Sequence, residues 1–378
     1  MATNPLHQLA AQGQSVWLDY IRRDLVESGA LAKLVADGEL RGITSNPSIF
    51  EKAIAGSREY DRLLEAALRE TRDPVAVYER LAVRDIQDAA DALRPVYDET
   101  GGRDGFVSLE VSPHLAHDTA KTVAEAQRLW GAVDKPNLMI KVPGTPAGVP
   151  AFAQLIGEGI SVNVTLLFSR EAHWQVAEAY IDAIERRAAH HRDFGRIASV
   201  ASFFVSRIDT AVDKQLAARA ALAFSDPERL QLVGLMGRAA IANAKLAYQT
   251  YLELFGTSRW KSLAAKGAQP QRVLWASTST KNPEYRDVVY VEELIGRDTV
   301  NTLPPATLDA FRDHGRVRPS LTEDVDGARR VMGDLAAVGI SMDEVTARLL
   351  DDGVQLFADA YDKLIAAIGE RVRSGVAA

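Results

Sequence analysis

The sequence predicts an α/β fold, a single (β/α)8 barrel with additional helices and a C-terminal helical extension, and three observations predict it. Eight short apolar or β-branched runs each end in turn or polar residues, as buried strands do. The shortest connection between them, residues 145 to 159, is 15 residues long, so no two runs form a tight hairpin and every link can hold a right-handed helical crossover. The connections that can be read repeat their apolar residues at three- and four-residue intervals.

In chain order the strand segments are SVWLDY (15 to 20), RGITSN (41 to 46), FVSLEV (106 to 111), NLMIKVPG (137 to 144), ISVNVTLLF (160 to 168), IASVASFF (197 to 204), RVLWAST (272 to 278) and TVNTLPP (299 to 305). After the third, Leu115, Thr119, Val123, Ala126 and Trp130 fall at helical spacing. The long connections 47 to 105 and 205 to 271 are expected to hold extra helices, including an amphipathic stretch through Ile241, Leu246, Tyr248 and Leu252. Residues 321 to 372 read as a C-terminal helical region with Val331, Leu335, Val338, Leu349 and Leu350 buried. With no Pro/Gly/Ser-rich linker and no internal repeat, 1 to 378 reads as one domain, 321 to 378 packing on the barrel. A doubly wound open sheet also uses parallel strands, and strand count alone leaves it open.

Composition narrows the function classes. The chain is 47% hydrophobic and 25% charged, the balance of a globular protein. A formal charge of -7 gives no basic field, so neither nucleic acid nor an anionic membrane is an expected partner, and an anionic ligand must be met by local cations. The absence of cysteine excludes thiolate catalysis and Cys-ligated metals. The N-terminus lacks a basic stretch followed by an apolar run, and no window approaches the ~20 apolar residues of a membrane span, so a cytoplasmic location is expected. There is no GxGxxG after a strand and no P-loop. His114 and His117 lack a third ligand at a recognisable spacing, and no metal site is expected. Arg186, Arg187 and the stretch 190 to 192 read as a solvated helix end. Monomer and homodimer both remain open.

In a barrel, alternate side chains point inward, and reactive groups gather at the downstream ends of the strands. By this parity Lys141 and Met139 face inward while Ile140 and Val142 face the helices. Asp19 goes inward with Trp17, and Glu110 with Ser108. Thr44, Asn46, Asn163, Thr165 and Ser202 share the pattern, so a lysine and two carboxylates face one mouth. A lysine there could simply close an ion pair with Asp19 or Glu110. Buried pairs, however, are weak sources of stability, and six or more polar residues at one end of the strands call for another purpose.

Two motifs carry a family resemblance: GITSNPSIF (42 to 50) and LMIKVPGTPAGV (138 to 149). Both resemble the signature segments of the transaldolase family, the second holding its Schiff-base lysine. WLDY, SLEV, SVNVTLLFS and SFFVSRID extend the likeness over most of the chain before about residue 320, and the length is similar to that of the longer bacterial members. The resemblance implies a TIM barrel that moves a dihydroxyacetone unit between sugar phosphates. In it Lys141 is the nucleophile, Asp19 the acid/base at the sugar C4 hydroxyl, and Glu110 a proton shuttle through a water placed by Thr165. Thr44, Asn46, Asn163, Ser202 and Phe204 are implied at the substrate, and Arg207 and Ser277 at the phosphate. Where the family has a second phosphate arginine this chain offers Lys281 at a longer spacing, and Ser206 stands where a glycine is common beside the arginine.

The residue types suit imine chemistry. A neutral lysine amine adds to a ketose carbonyl, a barrel interior favours that neutral form, and no metal or organic cofactor is expected. Two rivals remain. A fructose 6-phosphate aldolase-like enzyme would release dihydroxyacetone; in that relative a glutamine resembles the position of Glu110 and a tyrosine that of Phe204. A non-catalytic sugar-phosphate-binding barrel would have no need of an imine-forming lysine.

Overall fold

Short buried strands joined by long crossovers leave few ways to satisfy every backbone group, and here the sheet closes on itself. The computed structural model describes residues 4 to 54, 58 to 190 and 193 to 374. The strands are β1 (Gln14–Asp19), β2 (Gly42–Thr44), β3 (Phe106–Glu110), β4 (Leu138–Pro143), β5 (Val162–Leu167), β6 (Ser199–Phe204), β7 (Arg272–Ala276) and β8 (Thr299–Leu303). Each falls on its predicted run, within two residues at either end. Each pairs in parallel with the next, and β8 pairs with β1. The barrel is therefore closed, and the open-sheet alternative is gone.

Pairing sets the faces. Glu110 lies opposite Lys141, Lys141 opposite Asn163, and Asp19 opposite Thr44, so these side chains share the interior. Val16, Leu18, Val107, Leu109, Ile140 and Val142 are buried against the helices. Between β5 and β6 the register slips: Val164 faces Ala201, but Leu167 faces Phe203. The extra residue is a bulge at Leu166, whose φ is 61°. It keeps Thr165 in the barrel and brings Leu166 against the C-terminal helix, where a Cβ on Gly353 would come within 2.9 Å of it.

The lower, N-terminal end is plugged. Trp17 fills the interior so tightly that a Cβ on Gly42 would lie 2.5 Å from its ring, so only glycine fits there. The Trp17 indole donates to Asp104 at 2.8 Å, and Arg272 donates to Ser15 at 2.7 Å and pairs with Asp104 at 3.3 Å. Inward polar residues are thus not confined to the upper end, as the sequence pattern had suggested.

Helices begin where capping residues precede them. Asp73 caps Pro74–Glu99, Asp118 caps Thr119–Val133 and Ser169 caps Arg170–Ala189, each accepting a first-turn backbone N–H. The long connections hold the expected extra helices, among them Pro47–Ile54 and Pro74–Glu99 after β2, and Ser206–Ala220 and Ala239–Phe255 after β6. The chain ends in Val325–Ala337 and a 33-residue helix, Met342–Ser374. This last helix packs on Pro47–Ile54, Pro74–Glu99 and Ser206–Ala220. Its buried stripe runs through Val345, Phe357, Leu364 and Ile368, leaving the predicted Leu349 and Leu350 half-buried. Of the other predicted positions Leu335 is fully buried, while Val331 and Val338 are half-buried.

Arg187 is not simply solvated: it donates to the carbonyls of Gly157 and Asp193. His191 and Arg192 lie outside the described residues, as do the first three residues of the N-terminal segment.

Candidate active site

At the upper end of the strands the barrel opens into a cavity of about 530 Å³. Asp19, Thr44, Asn46, Lys141, Thr165, Ser202, Phe204, Arg207, Ser277 and Lys281 all line it. Glu110 and Asn163 do not reach the cavity wall; they sit behind Lys141 and Ser202.

Lys141 leaves the middle of β4, where neighbouring strands fix its backbone, and its side chain is only 6% exposed. Its Nζ donates to Glu110 Oε2 at 3.1 Å and to the Ser45 carbonyl at 3.1 Å. The Phe357 ring, brought over the mouth by the C-terminal helix, lies with its centroid 5.4 Å from Nζ. That ring is itself part of the cavity wall beside the amine. Behind the lysine, burial pushes the Glu110 carboxyl up to about 7, against the opposing pull of Lys141. Glu110 Oε1 and Thr165 Oγ1 are both buried with no hydrogen-bond partner among the described residues.

Asp19 ends β1 and borders the cavity, yet protein encloses it on its other sides. Burial raises its carboxyl above the ordinary range, with Lys141 and a 2.9 Å hydrogen bond from Thr44 acting the other way. Thr44 Oγ1 also lies 2.7 Å from Thr302 Oγ1, which holds the hydroxyl in place. On the neighbouring strands, Ser202 donates to Asn163 Oδ1 at 2.7 Å, and Asn163 Nδ2 donates to Ser108 at 3.1 Å. This chain of bonds sets the amide orientation under the cavity.

The far wall is cationic. Arg207 sits in the first turn of Ser206–Ala220, its guanidinium 5.5 Å from the Phe204 ring centroid. Ser206 replaces the expected glycine without opening the loop: its N–H donates to the Ser277 carbonyl, and the two hydroxyls are 3.1 Å apart. Ser277 adopts φ 56°, a left-handed conformation that turns the chain after β7. Lys281 donates to Ser279 at 2.7 Å, and burial, followed by the nearby Arg207, disfavours its charged form.

One helix face ties these parts together. Asp209 and Asp213, one turn apart on the Arg207 helix, accept from Tyr290 at 2.8 Å and Tyr285 at 2.7 Å, both from the β7–β8 connection. Their other oxygens accept the N–H groups of Ala240 and Gly237. Burial holds Asp209 at about 6.

Comparison with known proteins now decides the family. The model of the Transaldolase/Fructose-6-phosphate aldolase family matches residues 16 to 368. The chain belongs to this family. It is 47% identical over 375 residues to a transaldolase of Trichodesmium erythraeum, covering 99% of each chain. It is 51% identical over 357 residues to a transaldolase of Thiobacillus denitrificans, covering 94% of this chain and 97% of that one. A transaldolase of Thermobifida fusca is 47% identical, with 98% of each chain covered.

Several residues beside the family motifs escaped sequence reasoning. Thr302 was legible, since it takes the inward parity of β8. The Ser45 carbonyl, Phe357 and the Asp213–Tyr285 pair were not, because backbone acceptors and long-range contacts leave no local pattern. His114, singled out earlier, lies 2.7 Å from Asp362 and edge-on to Tyr361, outside the cavity lining.

Proposed function

We infer that this chain is a transaldolase, moving a dihydroxyacetone unit from sedoheptulose 7-phosphate to glyceraldehyde 3-phosphate and giving erythrose 4-phosphate and fructose 6-phosphate reversibly. The observation that carries the reading is a lysine buried inside a closed barrel, flanked by two carboxyl groups that burial pushes up, beneath a cavity with a cationic far wall. The full-length relatives named transaldolase support it.

The steps follow from the groups present. Transfer of a proton from Nζ to Glu110, 3.1 Å away, leaves a neutral amine beside a neutral acid. The amine adds to the ketose C2 carbonyl, and Glu110 returns the proton to the departing hydroxyl, so that water leaves and an iminium remains. The unpartnered Glu110 Oε1 and Thr165 Oγ1 suit a water relaying that proton. Asp19 then takes the C4 hydroxyl proton, the C3–C4 electron pair moves into the iminium, and the aldose departs. The resulting enamine adds to the acceptor aldehyde, Asp19 returns its proton to the new C4 alkoxide, and water hydrolyses the new imine. Asn46 and Ser202 offer hydrogen bonds to the dihydroxyacetone hydroxyls, and Asn163, behind the wall, orients Ser202 for that contact. Arg207, Ser277 and Lys281 meet the phosphate, arginine in the bidentate manner that suits it.

The test is a transfer assay with fructose 6-phosphate and erythrose 4-phosphate. Sedoheptulose 7-phosphate and glyceraldehyde 3-phosphate should form without free dihydroxyacetone. Free dihydroxyacetone as the main product would replace transfer by lyase chemistry, and no turnover would leave a binding protein.

A further inference from the structure

Charge in the cavity does not balance within the protein. Among the described residues its lining carries five cations, Arg22, Lys52, Lys141, Arg207 and Lys281, against one carboxylate, Asp19. Arg22 is neutralised by Glu59 and Lys141 by Glu110. The other three have no carboxylate at ion-pair distance among the described residues: Lys281 bonds only Ser279, and Arg207 lies against Phe204. They come from three different connections, after β2, β6 and β7, and still border one space. Lys52 is near enough to Lys281 to oppose its charge. Asp19 and Asp352 attract Arg207, and Asp19 attracts Lys281, only from beyond ion-pair distance, so positive charge stays in excess around the cleft and focuses its potential toward an anion.

We propose that Lys52, in the last turn of the helix Pro47–Ile54, is a phosphate-binding and specificity-determining residue, the third cation of the subsite formed with Arg207 and Lys281. This rests on the transaldolase reading and extends it. Lys52 adds a third charge to the two that Arg207 and Lys281 supply, and brings it from the connection after β2. Arg207 is largely enclosed, whereas Lys52 is exposed at the rim. Lys52 therefore acts through a partly solvated field that selects phosphate-bearing sugars and leaves the chemistry at Lys141 untouched.

Lys52→Met keeps the apolar stem of the side chain and removes its charge. At low ionic strength KM for fructose 6-phosphate should rise about five- to tenfold with kcat within about twofold, and Lys52→Arg should restore it. Borohydride trapping of unphosphorylated dihydroxyacetone should keep its concentration dependence, and the KM difference should shrink toward nothing near ~1 M salt. The proposal is overturned by an unchanged KM for the phosphorylated donor, by an equal weakening for dihydroxyacetone, or by a difference that salt does not alter. Trapping in the unaltered chain separates the two readings: no adduct there sinks the lysine mechanism, while an adduct with an unchanged KM in Lys52→Met sinks only the subsite.

Discussion

The two ends of this barrel each bury an ion pair, and they use it in opposite ways. At the lower end Arg272 and Asp104 are surrounded by partners: both oxygens of Asp104 and both terminal nitrogens of Arg272 bond Ser15, the Trp17 indole, the Arg103 carbonyl or each other. At the upper end Lys141 and Glu110 are equally buried, but Glu110 Oε1 has no partner among the described residues and burial pushes its carboxyl to about 7. A saturated buried pair fixes geometry, whereas an unsaturated pair beside a cavity can exchange protons with a ligand. Burial of charge alone therefore says little about function; the completeness of the hydrogen bonding around it says more.

Breaking the lower pair should give the largest effect on folding. Arg272→Met leaves Asp104 buried without its cation and should lower unfolding free energy by about 3 kcal/mol in denaturant titrations, with kcat per folded molecule little changed. If catalysis collapsed while stability held, the assignment of the two ends would be reversed.

The matching change above is Glu110→Gln. It should lower kcat by about a hundredfold while costing less stability than the change below. Its pH behaviour sharpens the contrast. The native Glu110 carboxyl titrates at about 7 against an ordinary 4.5, so between those values the folded chain holds a proton that the unfolded chain has released. Stability should accordingly fall as pH rises from about 4.5 through about 7, and Glu110→Gln should flatten that fall in unfolding curves measured across the range. An equally steep decline in the variant would place the titrating group elsewhere.

The smallest effect is expected at the Asp213–Tyr285 hydrogen bond beside the cationic wall. Tyr285→Phe removes the hydrogen bond to Asp213 and loosens the loop bearing Ser277 and Lys281, raising KM for fructose 6-phosphate about two- to threefold with kcat nearly constant. A fall in kcat at constant KM would mean that this bond serves the reacting end instead.

Much of this contrast could be read before the structure. The eight strands follow from apolar or β-branched runs, and the β period of two then placed Lys141, Glu110 and Asp19 on one inner surface. The lower network was missed for a physical reason: Arg272 opens its strand and Asp104 precedes one, where turn residues and barrel plugs look alike in sequence. The role of the C-terminal helix was also hidden. Helical periodicity announces that one stripe is buried but not against what, so neither the placement of Phe357 over Lys141 nor the packing of Gly353 on the β5 bulge could be foreseen. The cationic wall was half legible, since Arg207 and Lys281 lie near recognisable motifs whereas Lys52 joins them only through closure of the barrel.

The central claim, that the unsaturated pair at the upper end makes a covalent nucleophile of Lys141, is tested most directly by reducing the protein with borohydride in the presence of fructose 6-phosphate and mapping the adduct by peptide mass. One dihydroxyacetone-derived adduct on Lys141, absent from Lys141→Ala together with turnover, is the expected result. An adduct on another lysine, or a Lys141→Ala protein that turns over at the full rate, would contradict it.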